Sequence, residues 1–253
     1  MNNLNENITK IQKKINRSAL GHIEHETYIE KKYREYILRT YRPFLNIDSP
    51  ALSFGCSAGA ESELLSKLYF DLDIVEGSKE LIQLSQKHVP SHVNFIHSLF
   101  ESFESKRKYT NIFVSYILEH VDNPVDILKT AKNCLNESGY IFVAVPNAFA
   151  LSRQLGKEMG FLESVFDLTP SDLAVGHQRV YCMDTLHKDI NKANLKIVQS
   201  GGVMVKFLGN NQINNLIGHK YFPDNILEGC YNLGFKYPDL CGTIYTIVTL
   251  PNG

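Results

Sequence analysis

Short apolar runs alternate with stretches whose apolar residues recur every three or four positions, and this alternation predicts the architecture. The runs are Ala51-Leu52-Ser53-Phe54, Phe70-Asp71-Leu72-Asp73-Ile74-Val75, Val93-Asn94-Phe95-Ile96-His97, Asn111-Ile112-Phe113-Val114-Ser115 and Gly139-Tyr140-Ile141-Phe142-Val143-Ala144-Val145. Between them, the helical spacing over residues 81–88 and 125–135, and in the stretch that follows Ser57, predicts helices. Runs of Val, Ile and Phe without polar alternation mark strands covered on both faces, hence a parallel sheet with helical crossovers. Right-handed crossovers bring the loops that leave the strands to one edge of the sheet, where a ligand binds. The predicted class is α/β.

The flanks carry other periodicities. Leu4, Ile8, Ile11 and Ile15 recur at helical spacing with Lys10, Lys13, Lys14 and Arg17 on other faces. This predicts a helix that packs on the domain or on a second subunit, which leaves a homodimer open. A second helical pattern spans residues 24–45, with Tyr28, Tyr33, Tyr36, Ile37, Tyr41 and Phe44 near one stripe, before Pro43 and Pro50 punctuate the approach to strand one. From Pro146 to about Asp184 the pattern is irregular and too long for a plain loop. Residues 185–193 read as a helix, and Leu195-Lys196-Ile197-Val198 opens a strand that Gly201-Gly202 is expected to break. Helical stretches follow near 212–218 and 225–233, and the β-branched run 242–250 reads as the last strand.

Composition narrows the classes. At 253 residues, one large domain with a sizeable core is expected. A net charge of −1 provides no general field for nucleic acid or an anionic membrane. No apolar run approaches membrane-span length, and Met1 to Asn7 has no apolar core of a signal peptide, so a cytoplasmic protein is expected. The five cysteines are scattered, without a Cys-x-x-Cys pair or a Cys/His cluster. Neither a disulfide framework nor a zinc site is indicated, and no metal is expected.

The candidate chemistry starts at Gly55-Cys56-Ser57-Ala58-Gly59-Ala60-Glu61, a small-residue turn between a strand and a helix. Gly55 and Gly59 keep side chains away from a bound ligand and reach positive φ without steric cost. The helix N-terminus beyond them points its unpaired N–H groups back at the turn. Ser57 stands where a dinucleotide fingerprint has its second glycine, so a ligand without a pyrophosphate fits better. Glu76-Gly77 ends strand two, where a carboxylate suits the two hydroxyls of a ribose.

This loop, Glu76 and the later Leu118-Glu119-His120-Val121-Asp122-Asn123-Pro124 together resemble class I S-adenosylmethionine-dependent methyltransferases over residues 51–146. The resemblance implies a Rossmann-like seven-stranded sheet, mostly parallel with an antiparallel last strand beside strand five. It also implies an N-terminal helical lid over residues 1–48, a methyltransferase domain over 49–253, and an acceptor-pocket insertion at 146–184. S-adenosylmethionine is then the cofactor and S-adenosylhomocysteine the product. Gly55, Cys56, Ser57, Gly59, Glu76 and Gly77 would hold it, with Leu99 and Phe100 near adenine and Ser115 at the end of strand four. Ser53, Leu99 and Thr110 replace acidic residues usual in the family. Glu61, in the first turn of the helix, either takes the methionine ammonium in place of an acid at Ser53 or stabilises the helix dipole.

For the acceptor, a neutral hydroxyl needs a base, and histidine is poised for that near neutral pH. His120 is placed beside the transferred methyl by the resemblance. In Gly176-His177-Gln178-Arg179-Val180-Tyr181, alternation suggests a base (His177) beside an anion clamp (Arg179) and a phenol (Tyr181). The alternative is that His177 and Arg179 tie the insertion to the sheet and that His120 caps a turn. His22, His25 and Tyr28, in the lid, are further candidates. The Gly-His-x-Arg-x-Tyr and Cys-Gly-Thr-Ile-Tyr segments look similar to methyltransferases of bacterial surface-polysaccharide pathways, which implies O-methylation of a small or sugar-linked acceptor. Small-molecule N-methyltransfer, quinone-type O-methyltransfer, a nicotinamide dehydrogenase and a non-catalytic subunit are the alternatives.

Overall fold

The computed structural model describes residues 27–57, 59–223 and 225–251. The predicted helix at 4–15, and His22 and His25, lie outside them. Seven strands form one sheet in the order β3-β2-β1-β4-β5-β7-β6. In chain order these are β1 (Ala51–Phe54), β2 (Leu72–Glu76), β3 (Asn94–His97), β4 (Tyr109–Ser115), β5 (Leu135–Pro146), β6 (Lys196–Val205) and β7 (Cys241–Thr249). Strands β1 to β5 pair in parallel, and β7 inserts antiparallel between β5 and β6. The expected seven-stranded sheet with a reversed last strand is therefore present.

Alternation inside the strands divides the core into two layers. On β4, Phe113 packs on one face while Ile112 and Val114 pack on the other; on β5, Phe142 and Ala144 face opposite to Ile141, Val143 and Val145. Both strands are buried through their centres, which explains why their sequences show no polar alternation. One layer is closed by helix α1 (Tyr28–Tyr41), whose Ile29, Tyr33, Tyr36, Ile37 and Tyr41 form the apolar stripe. Glu30 accepts from the Thr27 backbone N–H at 2.8 Å and so fixes the start of α1. Helices α2 (Ala60–Ser66) and α3 (Lys79–Ser85) contribute Leu65 and Leu81 to this layer. The other layer lies under α4 (Pro124–Cys134), which opens with Pro124 in its first turn, and α7 (Met183–Lys192).

Between β5 and α7 the chain makes two short helices, α5 (Leu151–Glu158) and α6 (Pro170–Ala174). It is sewn to the sheet by Asn147, whose side-chain amide donates to the Asp239 and Cys241 carbonyls at 2.9 and 2.8 Å. Helices α8 (Asn210–Leu216) and α9 (Asn225–Gly234) separate β6 from β7.

One expectation is corrected here. Gly201-Gly202 does not break β6, which runs through both glycines in register with β7. A Cβ on Gly202 would lie 2.3 Å from the Pro238 carbonyl oxygen, and one on Gly201 would lie 2.9 Å from the Tyr245 ring. The two glycines admit close neighbours within a strand rather than ending it.

Candidate active site

Parallel pairing brings the carboxyl ends of β1, β2, β3 and β4 to one edge, and the loop after β1 is locked there. Gly55 donates to the Val75 carbonyl at 2.8 Å and adopts φ +84°; Gly59 has φ +116°. The positive φ is what calls for glycine at Gly55; a side chain there would also start 2.7 Å from Ile117 Cδ1, which would have to swing aside. Ser57 takes a left-handed conformation too, at φ +52°, as does Tyr116 at φ +56°. Strained backbone at two non-glycine residues on one edge is characteristic of functional sites. Ser53, in place of an acid, turns its hydroxyl onto the Gly55 carbonyl at 3.2 Å.

Glu76 ends β2 and is buried. Its Oε1 accepts from the Ser78 N–H at 2.8 Å and its Oε2 from the Cys56 N–H at 3.2 Å, so the carboxylate ties the loop to the strand end. Burial pushes this carboxyl up, and the N–H groups of Ser78, Cys56 and Gly77, with the Cys56 thiol, work against that rise. Phe100 sets its ring edge-on to Phe54 with centroids 5.8 Å apart, next to Leu99 in the turn after β3. Ser115, at the end of β4, is buried with a hydroxyl that has no hydrogen-bond partner among the described residues. Glu61 is buried in the first turn of α2, where its charge acts on Tyr41 and Tyr116. The predicted cofactor residues, Gly77 included, therefore belong to one end of the sheet.

Beside this loop opens a cleft of about 530 Å³. Glu30, Tyr33 and Arg34 of α1 form one wall, with Ser57, Tyr116, Glu119 and His120 behind. Asp172, His177, Arg153 and Lys206 complete it. Arg34 donates to Ser57 Oγ at 2.6 Å and lies over the Tyr116 ring, which pins α1 across the strained loop. The Tyr116 hydroxyl shares a 3.0 Å bond with Thr243 Oγ1 on β7.

The chemistry of the far wall is set by Asp172, His177, His120 and Glu119. Asp172 Oδ1 meets His177 Nδ1 at 3.0 Å, and Oδ2 accepts from the Thr169 N–H and hydroxyl and from Arg153. Burial raises the Asp172 carboxyl, but its bonds with His177 and Thr169 outweigh that and hold it well below the usual carboxylate range. The His177 ring meets the His120 ring edge to face, with centroids 4.7 Å apart. Glu119 is fully buried beside them, and neither of its carboxylate oxygens accepts a hydrogen bond from another described residue. Burial pushes its carboxyl up to about 7, against the pull of His177.

His120 and His177 thus come together as predicted positions, but the rest of the acceptor trio does not join them. Arg179 is a correction: its guanidinium donates to the Leu118 carbonyl at 2.8 Å, to Val121 and, at 3.3 Å, to Asp122, and it does not line the cleft. Tyr181 is buried and gives its hydroxyl to Asp189 of α7 at 3.1 Å. Tyr28 is 45% exposed, under Lys32, on a side of α1 that does not line the cleft. The bonds of Arg179 and the 2.8 Å bond from the Gln178 N–H to the Glu119 carbonyl knit the insertion to the loop after β4.

Several cleft residues escaped the sequence reading, among them Glu119, Asp172, Arg34 and Lys206. Glu119 lay inside the quoted Leu-Glu-His-Val run, and Asp172 inside Thr169-Pro170-Ser171-Asp172, whose Thr-x-x-Asp spacing is a helix-cap signal. Arg34 and Lys206 carry no local signal, since only tertiary folding brings them to the loop.

A methyltransferase-domain family matches residues 25–200 of this chain. The chain belongs to that family. The matched segment is its methyltransferase domain. Among solved structures, the N-methyltransferase NodS from Bradyrhizobium japonicum WM9, in complex with S-adenosylhomocysteine, aligns over 90% of each chain with a TM-score of 0.57 and 12% identity. An S-adenosylmethionine-dependent methyltransferase from Clostridium acetobutylicum ATCC 824 aligns over 90% of this methyltransferase and 94% of its own chain, with a TM-score of 0.56 and 13% identity. At these identities the likeness is one of fold. The ubiquinone biosynthesis O-methyltransferase of Glaesserella parasuis serovar 5 (strain SH0165) is 27% identical over 113 residues, 41% of this methyltransferase. The match spans about half of that relative, 48% of its length. Among the described residues no helix is long and apolar enough to cross a membrane.

Proposed function

We propose that this methyltransferase methylates an oxygen of a small hydroxylated acceptor in the cleft beside Ser57, with His177 as the base that takes the hydroxyl proton. The observation that carries this reading is the 3.0 Å bond between Asp172 and His177 Nδ1. It fixes the ring orientation and leaves Nε2 as the nitrogen for proton transfer, the arrangement of a base held by a third group. The surface-polysaccharide resemblance favours a sugar-linked acceptor, and Lys206 on the opposite wall suits one that carries a negative charge.

The residues of the strand edge fit the cofactor. Gly55 and Gly59 hold the turn open at positive φ, and the buried Ser115 hydroxyl has a bond to give. Glu76 accepts from the Ser78 and Cys56 N–H groups and from the Cys56 thiol, and its remaining lone pairs suit the two ribose hydroxyls. Phe100 and Leu99 would flank the base, and Glu61 would face the methionine ammonium. When bound, S-adenosylmethionine supplies an electrophilic methyl group on a sulfonium. Arg34, bonded to Ser57 and lying over the Tyr116 ring, holds α1 against the loop beside the cleft.

The test measures transfer of labelled methyl to a panel of hydroxylated sugars and small phenols, with S-adenosylhomocysteine affinity determined in parallel. His177→Ala is expected to lower turnover by roughly 10² to 10⁴, the range of general-base catalysis, with cofactor affinity unchanged. Asp172→Asn is expected to lower it by about 10–100-fold. Full activity in both variants overturns the base and points to an amine acceptor.

A further inference from the structure

Glu119, His120 and His177 each offer one ligand atom, and these atoms all lie within 4.8 Å of one another. They come from two segments that the Gln178 N–H to Glu119 carbonyl bond holds side by side. A cluster of this kind needs an independent reason to be a site, and Glu119 supplies it. The residue is fully buried, and neither carboxylate oxygen accepts a hydrogen bond from another described residue. Buried carboxylates are as a rule hydrogen-bonded, ion-paired or bound to a metal, because the cost of burying them bare is large.

We propose that Glu119, His120 and His177 bind one divalent transition-metal ion of the zinc type at the inner end of the cleft, with the acceptor hydroxyl as a fourth ligand. Two imidazole nitrogens and one carboxylate oxygen are a donor set of catalytic zinc and of other first-row divalent ions, and suit magnesium or calcium poorly. Ligand bonds of about 2.0–2.2 Å place donor atoms about 3–3.5 Å apart, so closing the cluster takes movements of about an ångström. His177 is already oriented for it. The carboxylate of Asp172 holds Nδ1 at 3.0 Å and leaves Nε2 for the ion, the carboxylate–histidine–metal arrangement of metalloenzymes.

The proposal rests on the methyl-transfer reading for the acceptor and changes one part of it, since the ion takes over from His177 the task of activating the hydroxyl. With the ion in place, His177 gives its lone pair to the metal instead of to a proton. The ion lowers the pKa of the bound hydroxyl, whose proton leaves to water. The oxygen then forms the bond to the methyl carbon as the carbon–sulfur bond breaks, and that electron pair stays on sulfur. Metal binding itself depends on neither step.

The protein is stripped with a chelator and titrated with Co²⁺ by visible absorption and with Zn²⁺ by calorimetry; S-adenosylhomocysteine affinity is measured separately on the stripped protein. One equivalent is expected to bind, with cobalt d–d bands. Glu119→Gln and His177→Ala are each expected to weaken binding by more than 100-fold, and Asp172→Asn by about 10–100-fold. Should Glu119→Gln fail to fold, His177→Ala and His120→Asn decide. Cobalt binding that is absent up to millimolar concentration, or equal in wild type and variants, overturns the metal site. In that case retained S-adenosylhomocysteine binding leaves the methyltransferase reading standing, whereas its loss removes that reading separately.

Discussion

On the cofactor side of the cleft the functional residues also hold the fold together, whereas on the acceptor side they burden it. Glu76 anchors Cys56 and Ser78, Ser53 anchors Gly55, and Gly55 completes the ladder to Val75. Across the cleft, Glu119 is buried with no donor from another described residue, and Lys206 is a cation on the cleft wall. Groups that satisfy one another stabilise their surroundings, while groups kept bare for a ligand cost stability until the ligand arrives. The two halves should therefore respond to substitution in opposite directions.

The largest effect is expected at Gly55. Gly55→Val places a branched side chain at φ +84° and against Ile117 Cδ1. Left-handed strain of about 1–2 kcal/mol and overpacking of about 1–3 kcal/mol add to roughly 2–5 kcal/mol of lost stability. S-adenosylhomocysteine affinity should fall by more than tenfold as the loop shifts. Chemical denaturation and calorimetry read both, and unchanged values in either would break the picture of a loop that is at once structural and cofactor-binding.

The same contrast explains what was legible in the sequence. The cofactor side is local: a strand, its turn and the end of the next strand are written within residues 51–77, so Gly55, Gly59 and Glu76 announce themselves. The sheet was legible for the same reason, its strands being short apolar runs, apart from β6, where Gly201-Gly202 imitated a break because the close approach of Pro238 and Tyr245 has no trace in the local pattern. The acceptor side is tertiary. Alternation in 177–181 suggested one shared face, but the chain there turns back on the loop after β4 and uses Arg179 as a strap over three carbonyls. Arg179→Met accordingly sharpens the comparison. It should cost about 2–3 kcal/mol through lost charged hydrogen bonds and lower turnover by loosening the loop that carries Glu119 and His120, with little change in acceptor KM. An acceptor KM raised without loss of stability would restore the anion clamp.

The smallest effect has the opposite sign. Lys206 donates to Asn210 Oδ1 at 2.6 Å and lies 5.9 Å from the centre of the Tyr33 ring, next to Gly242. Burial pulls its pKa from 10.5 down to about 8; Glu30 opposes this and Arg153 adds to it. A lysine whose folded-state pKa is depressed costs stability in full below about pH 8, where both states are charged. The cost fades as pH rises toward 10.5, where the unfolded state also loses its proton. Lys206→Met keeps the apolar stem and removes the charge, so at pH 7 it should raise stability on the order of 1–2 kcal/mol. That gain should shrink between pH 8 and 10 as wild type catches up. An anionic acceptor would then bind the variant more weakly, while cofactor affinity stays as it was. Denaturant melts across this pH range decide the matter, because a Lys206→Met protein less stable than wild type at pH 7 would mean that the acceptor wall, like the cofactor wall, is held together by its own polar groups.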